Sequence, residues 1–188
     1  MMRTFVAVPL PEPIRKGLSA VSRELKSLDL HASFPRPESM HLTLKFLGEI
    51  AESKAVVVKE ALDRLGDQCS AFQVEVRELG VFPHLGNPRV VWAGVGRVDP
   101  LWDLQRRVEQ ELKPLGFSPE KKPFHPHLTL ARIKSRKNIV RLIEYVEQQG
   151  RDVRIGEFGV AEFHLYQSFL KPQGAEYRVL STCRLKEE

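Results

Sequence analysis

Two short stretches of the chain carry the same pair of chemistry-bearing side chains at the same spacing. His41 and Thr43 lie in "MHLTLKFLG" (residues 40–48), and His127 and Thr129 lie in "FHPHLTLARIK" (residues 124–134). Imidazole moves protons near neutral pH, its ordinary pKa being about 6.5. On an extended strand a hydroxyl two positions on points to the same side, with its Cα about 6.6 Å from that of the histidine, so both groups can touch one bound molecule. If the two stretches face each other, two imidazoles and two hydroxyls converge. That set suits in-line displacement at phosphorus. A neutral imidazole takes the proton of an attacking water, an imidazolium protonates the departing oxygen, and the hydroxyls donate to the non-bridging oxygens. A single H-x-T pair is ordinarily a surface or packing feature. Repetition of the histidine and threonine, and not of the leucines alone, is what points to chemistry.

Other residues near these pairs invite a role. Lys45 has the parity of His41 and Thr43 and is expected to reach a bound phosphate. Arg132 has the wrong parity for that face on a regular strand, and only a bulge or a strand end would bring it there. Lys121, Lys122, Lys134, Arg136 and Lys137 flank the second pair and would offer a path for a nucleic-acid backbone, or simply a solvated face. Phe46, Phe82, Trp92, Tyr166 and Phe169 are candidates for base stacking, although aromatics on strands are mostly core. His125 and His127 form H-x-H, a spacing that can hold zinc or iron. No carboxylate or cysteine stands ready as a third ligand, and the first stretch has Met40 where a second histidine would be needed. Phosphate is therefore the expected occupant, with no metal and no cofactor, and His125 becomes a supporting neighbour of His127.

The elements around the pairs repeat in order. "RTFVAVPL" reads as a strand, and Ile14, Leu18, Val21 and Leu25 then recur at helical spacing. A proline-bearing loop over 31–40 leads into the first H-x-T strand, and a helix over 52–67 follows. "FQVEVRELGVF" and "RVVWAGVG" read as paired strands around the turn-forming "PHLGNP". The order then recurs: helix over 100–116, proline-rich loop over 118–126, H-x-T strand, helix over 138–150. Two terminal strands, over 153–169 and 176–185, close the chain around a "KPQG" turn. This is an internal duplication with no flexible linker, so residues 1–188 are expected to form one domain of two lobes sharing an interface.

Composition narrows the class. A chain of 188 residues with 42% apolar and 28% charged residues is ordinary for a globular protein, and its net charge of +5 is compatible with a polyanionic partner. Cys69 and Cys183 lack any C-x-x-C spacing, so neither a disulfide framework nor a thiolate metal site is indicated. The start has no signal-like h-region and no stretch approaches membrane-spanning length. A cytoplasmic protein without membrane association is expected, as a monomer.

The strings "HLTLKFLGE" and "FHPHLTLAR" resemble the paired H-x-T motifs of the 2H phosphoesterase superfamily. They are similar to its RNA 2′,3′-cyclic phosphodiesterase branch, the LigT-like 2′-5′ RNA ligases. "RTFVAVPLP" and "LGVFPHLGNPRVVWAGV" extend the similarity through most of the chain. The resemblance implies an α+β fold of two pseudo-symmetric lobes, each an antiparallel sheet with helices on its outer face, with the two motifs facing each other across a central cleft. It implies metal-independent opening of a 2′,3′-cyclic phosphate, at an RNA end or on a small cyclic nucleotide, to a 2′-phosphate. His41 would be the proton donor, His127 the acceptor, and Thr43 and Thr129 the phosphate ligands. Some members join RNA through 2′-5′ linkages by the reverse chemistry, and relatives act on other cyclic or 2′-5′ linked nucleotides. The alternative from another class is a binding module for RNA ends that performs no turnover.

Overall fold

The apolar positions that recur along the sequence form the inner faces of four helices and nine strands in the computed structural model, which describes residues 1–96, 98–171 and 174–187. Strand β1 (Met2–Pro9) leads to helix α1 (Glu12–Ser27), which buries Ile14, Leu18, Val21 and Leu25. A two-residue strand β2 (Ala32–Ser33) and a 3-10 turn (Pro37–Ser39) precede β3 (His41–Ile50). Helix α2 (Glu52–Gly66), β4 (Phe72–Phe82), β5 (Val90–Val95) and α3 (Asp99–Leu112) follow. Then come β6 (His127–Ile133), α4 (Ile139–Gln149), β7 (Arg154–Val160), β8 (Glu162–Lys171) and β9 (Gly174–Arg184). No helix among the described residues is long and apolar enough to cross a membrane.

The strands form two antiparallel sheets, ordered β3-β1-β8-β9 and β2-β6-β5-β4-β7. The expected α+β class and the paired sheets are both present. The segment 153–169, read as one strand, breaks at Ala161: β7 closes the second sheet and β8 returns to the first. The expected "KPQG" turn includes Pro172 and Gln173, outside the described residues, and Lys171 pairs with Gly174 across it.

Helices are exchanged between the halves. α1 follows a strand of the first sheet yet packs on β7 and β6 of the second, so closely that a Cβ on Gly17 would lie 2.7 Å from Ile155 Cγ2. α3 follows a strand of the second sheet and packs on β3 and α2, against the first. Buried side chains from both halves join in one apolar cluster, so separating the lobes would expose that core.

Each H-x-T strand carries a bulge at the same place. In the β1–β3 pair Ala7 is opposite Thr43 and Val6 opposite Lys45, leaving Leu44 without a partner. In the β5–β6 pair Trp92 is opposite Thr129 and Val91 opposite Ala131, leaving Leu130 without one. Alternation resumes one residue out of phase beyond each bulge. Leu44 and Lys45 are consequently both buried, as are Leu130 and Ala131, and the outward face is taken up by Phe46 and Arg132.

This corrects the expectation for Lys45, which does not reach the cleft. Its side chain, 2% exposed, runs inward, where Nζ donates to Glu109 Oε2 of α3 at 2.6 Å and to the Ser118 carbonyl at 2.9 Å. Gln105 Nε2 donates to the other Glu109 oxygen at 3.3 Å. Removing one partner of such a pair strands a buried charge. Lys45→Ala should lower the unfolding free energy by about 3–5 kcal/mol, measured by urea denaturation. The double change Lys45→Met with Glu109→Leu should recover most of that loss; a single-variant loss below about 1 kcal/mol would contradict the pairing argument.

Candidate active site

Both histidines open their strands, and the backbone just ahead of each fixes its ring. The 3-10 turn places the Ser39 carbonyl 2.8 Å from His41 Nδ1, and the His125 carbonyl stands 2.7 Å from His127 Nδ1. A carbonyl only accepts, so each Nδ1 carries the hydrogen and donates it. In the neutral rings Nε2 is then the bare nitrogen, able to take a proton, and in the charged rings it is a donor. The two rings are thus held by the same device, a carbonyl two residues earlier.

The strands that carry them meet at the junction of the sheets. β3 is the edge of the first sheet, and β6 is flanked on its outer side only by β2, which pairs with Arg132 and Ile133. β3 and β6 are in contact. Between them lies a cleft of about 680 Å³ lined by His41, Thr43, His127, Thr129 and Arg132. The structure therefore brings together five of the six residues expected at a site, and leaves Lys45 outside. Arg132 is there because the Leu130 bulge corrects its parity.

The two imidazoles differ in surroundings. His41 sits among Phe5 (ring centroids 4.6 Å apart), Tyr177 (5.0 Å, edge-on) and Tyr166 (6.2 Å). Burial there disfavours the charged ring and pushes its pKa down to about 4, with Arg132 and His127 adding to the effect and the Ser39 carbonyl opposing it. His127 has Phe82 edge-on at 5.0 Å. Its pKa is also lowered, by burial first and then by His125 and Arg132, against the His125 carbonyl. The His125 ring packs edge-on against Phe82 and Trp92, at 5.1 and 4.9 Å. Among the described residues, no three His, Cys, Asp or Glu side chains are placed to hold a metal ion.

The cationic lining differs from the expected one. None of Lys121, Lys122, Lys134, Arg136 or Lys137 lines the cleft, and Lys137 pairs with Asp29 at 2.8 Å. Arg3 and Arg36 line it instead. Strand alternation links Arg3 to Phe5 and Ala7, but only the sheet order shows that this face meets the cleft. Nothing in the sequence marks Arg36 or Tyr177. Of the stacking candidates, Phe46 lines the cleft and is 58% exposed, Phe82 and Trp92 support the second histidine pair, and Tyr166 stacks on Phe5. Phe169 is exposed and lies outside the lining. His164 is buried between the Tyr166 hydroxyl and the Glu162 carboxylate, a structural position.

Comparison with known proteins gives the chain a family and a fold. The family model "LigT like Phosphoesterase" matches residues 8–92 and 97–177. The RNA 2′,3′-cyclic phosphodiesterase of Methanothermobacter thermautotrophicus is 35% identical over 98% of this chain and 99% of its own length. That of Aeropyrum pernix is 42% identical over 76% of this chain and 80% of its own. Among solved structures, TT0787 of Thermus thermophilus superposes with a TM-score of 0.83 and 30% identity, covering all of both chains. Escherichia coli LigT complexed with 3′-AMP does so at 0.78 and 25%, covering 98% of each. A match that takes in both histidine strands, with relatives alike along nearly the whole length, makes this chain a member of the LigT-like phosphoesterase family.

Proposed function

We propose that the protein hydrolyses the 2′,3′-cyclic phosphate at an RNA 3′ end to a 2′-phosphate without a metal. The observation that carries this reading is the pair of imidazoles across one cleft, each with Nδ1 committed to a carbonyl and Nε2 available. The names of the relatives support the substrate class. Water attacks phosphorus as His127 Nε2 takes its proton. The bond from phosphorus to O3′ breaks, and the imidazolium of His41 gives its Nε2 proton to the departing O3′. The products are a 2′-phosphomonoester and a free 3′ hydroxyl. Thr43, Thr129 and the Arg132 guanidinium hold the non-bridging oxygens, where negative charge gathers. An RNA 5′ hydroxyl in place of water would give a 2′-5′ linkage by the same proton transfers.

An RNA ending in 2′,3′-cyclic phosphate, incubated with the protein and excess EDTA, should yield the 2′-phosphate. Persisting cyclic ends would overturn the assignment, as binding without turnover would, and a 3′-phosphate product would overturn the identity of the leaving oxygen. Activity lost in EDTA and restored by zinc would replace the proposed chemistry with a metal-dependent one. His41→Ala and His127→Ala should each cut kcat/KM on the order of 10²- to 10⁴-fold while melting cooperatively.

The lowered pKa values set the pH dependence. In the free protein His41 loses its needed proton as pH rises through about 4, and His127 gains its needed lone pair as pH rises through its own lowered value. The product of those two populations peaks below the ordinary histidine pKa of about 6.5, at a position that belongs to the coupled pair. A bound phosphate anion favours the imidazolium and moves the profile up. The kcat/KM maximum should therefore lie below pH 6.5 and the kcat maximum above it; a kcat/KM maximum above pH 7 would contradict the burial argument.

A further inference from the structure

The cleft does not end at the histidines. On β1, Arg3 lies two residues beyond Phe5, about 6.6 Å further along the strand, with Glu49 of β3 and Ser168 of β8 as its cross-strand neighbours. Arg3, Phe46, Ser168, Leu170 and Tyr177 all line this extension. The strand register orders it: Thr43 is opposite Ala7, Phe46 opposite Phe5, and Arg3 comes next. Phe46 thus stands between the histidine pairs and Arg3.

Two properties set this stretch apart from ordinary surface. Among the described residues the Arg3 guanidinium has neither a hydrogen bond nor an ion pair, so all its donors are available to a ligand. Phe46 and Leu170, 58% and 72% exposed, place large apolar side chains beside it. An aromatic face next to an unpaired guanidinium is what a nucleobase and a backbone phosphate require, base by stacking and phosphate by a charge-assisted fork. The twin position on the other lobe, Arg132, faces the histidine pair, so the two lobes divide the work: one supplies the cation at the reacting phosphate, the other an apolar platform beside it.

We infer that this extension is a second nucleotide subsite, in which Arg3 takes the phosphate on O5′ of the terminal nucleoside and Phe46 stacks a base of the RNA chain. The inference rests on the proposed reaction at the histidines and adds a preference for chains over mononucleotides. That phosphate could equally be a terminal monoester, and the substrates below tell the two apart.

Three substrates with the same cyclic end separate the contributions: a nucleoside 2′,3′-cyclic phosphate, its 5′-phosphorylated form, and a dinucleotide. For the parent protein kcat/KM should rise about tenfold or more on adding the phosphate, as expected for a charged hydrogen-bonded contact, and rise again with the dinucleotide. Arg3→Gln should collapse the ratio of either phosphate-bearing substrate to the plain nucleoside, and flatten the extra dependence of log kcat/KM on log salt by about 0.7. Phe46→Ala should lower kcat/KM on all three substrates and leave the phosphate gain in place, because Phe46 stands between the histidines and Arg3 and meets the terminal base. Equal efficiency on all three substrates, or an Arg3→Gln loss shared equally by all three, would overturn the subsite. A gain with the 5′-phosphorylated nucleoside and none with the dinucleotide would overturn its assignment to RNA chains. No turnover of any substrate would instead overturn the proposed reaction on which the subsite rests.

Discussion

A strand alternates with a period of two, and everything at this site depends on how that period is interrupted. Three residues on from each H-x-T threonine a side chain reaches the cleft, which a regular strand forbids. The unpaired Leu44 and Leu130 supply the missing half-step. Each bulge puts two consecutive side chains into the core and hands the cleft to the residue after them. On β3 the residues turned inward are Leu44 and Lys45 and the one released is Phe46; on β6 they are Leu130 and Ala131, and Arg132 is released. One geometric defect, used twice, yields a cation on one side of the cleft and an aromatic on the other.

Such a site works only if its halves keep their distance, since misplacement by an ångström costs reactivity. The helix exchange meets that requirement. α1 leaves the first sheet to cover the second and α3 makes the opposite crossing, so relative motion of the lobes would drag each helix off its apolar bed. Lys45 adds a polar tie in the same direction, joining the bulged strand of the first sheet to Glu109 on the helix that comes from the second half. The residue that a phosphate would have attracted instead holds the strand that carries His41.

What the sequence makes legible follows from the range of the interactions involved. Helical spacing places the buried face of α1 correctly, because it is a local pattern, and the repeated H-x-T pairs stand out because self-similarity needs no structure. The same patterns do not say which sheet a helix covers. Ile14 and Leu18 look alike whether α1 folds back on its own sheet or crosses over, and the return of β8 to the first sheet is settled by long-range pairing. Parity arguments fail at Lys45 and leave Arg132 dependent on a bulge because a bulge is a property of two paired strands. Arg3 and Tyr177 reach the cleft through sheet order alone.

Pseudo-symmetry gives both histidines the same backbone carbonyl support, so the difference between them has to come from their neighbours. Phe5, Tyr166 and Tyr177 enclose His41 and depress its pKa to about 4. A depressed pKa makes the imidazolium a stronger acid, suited to a departing alkoxide, provided that it can be charged at all. In the proposed reaction the substrate meets that condition, because an anionic phosphate between the rings would restore the proton that burial removes. In that reaction the aromatic enclosure and the phosphate act in sequence: the first favours the neutral ring in the free protein, and the second charges it when there is a leaving group to protonate. His127 has a different setting, of Phe82 and His125, and the proposed reaction gives it the part of base.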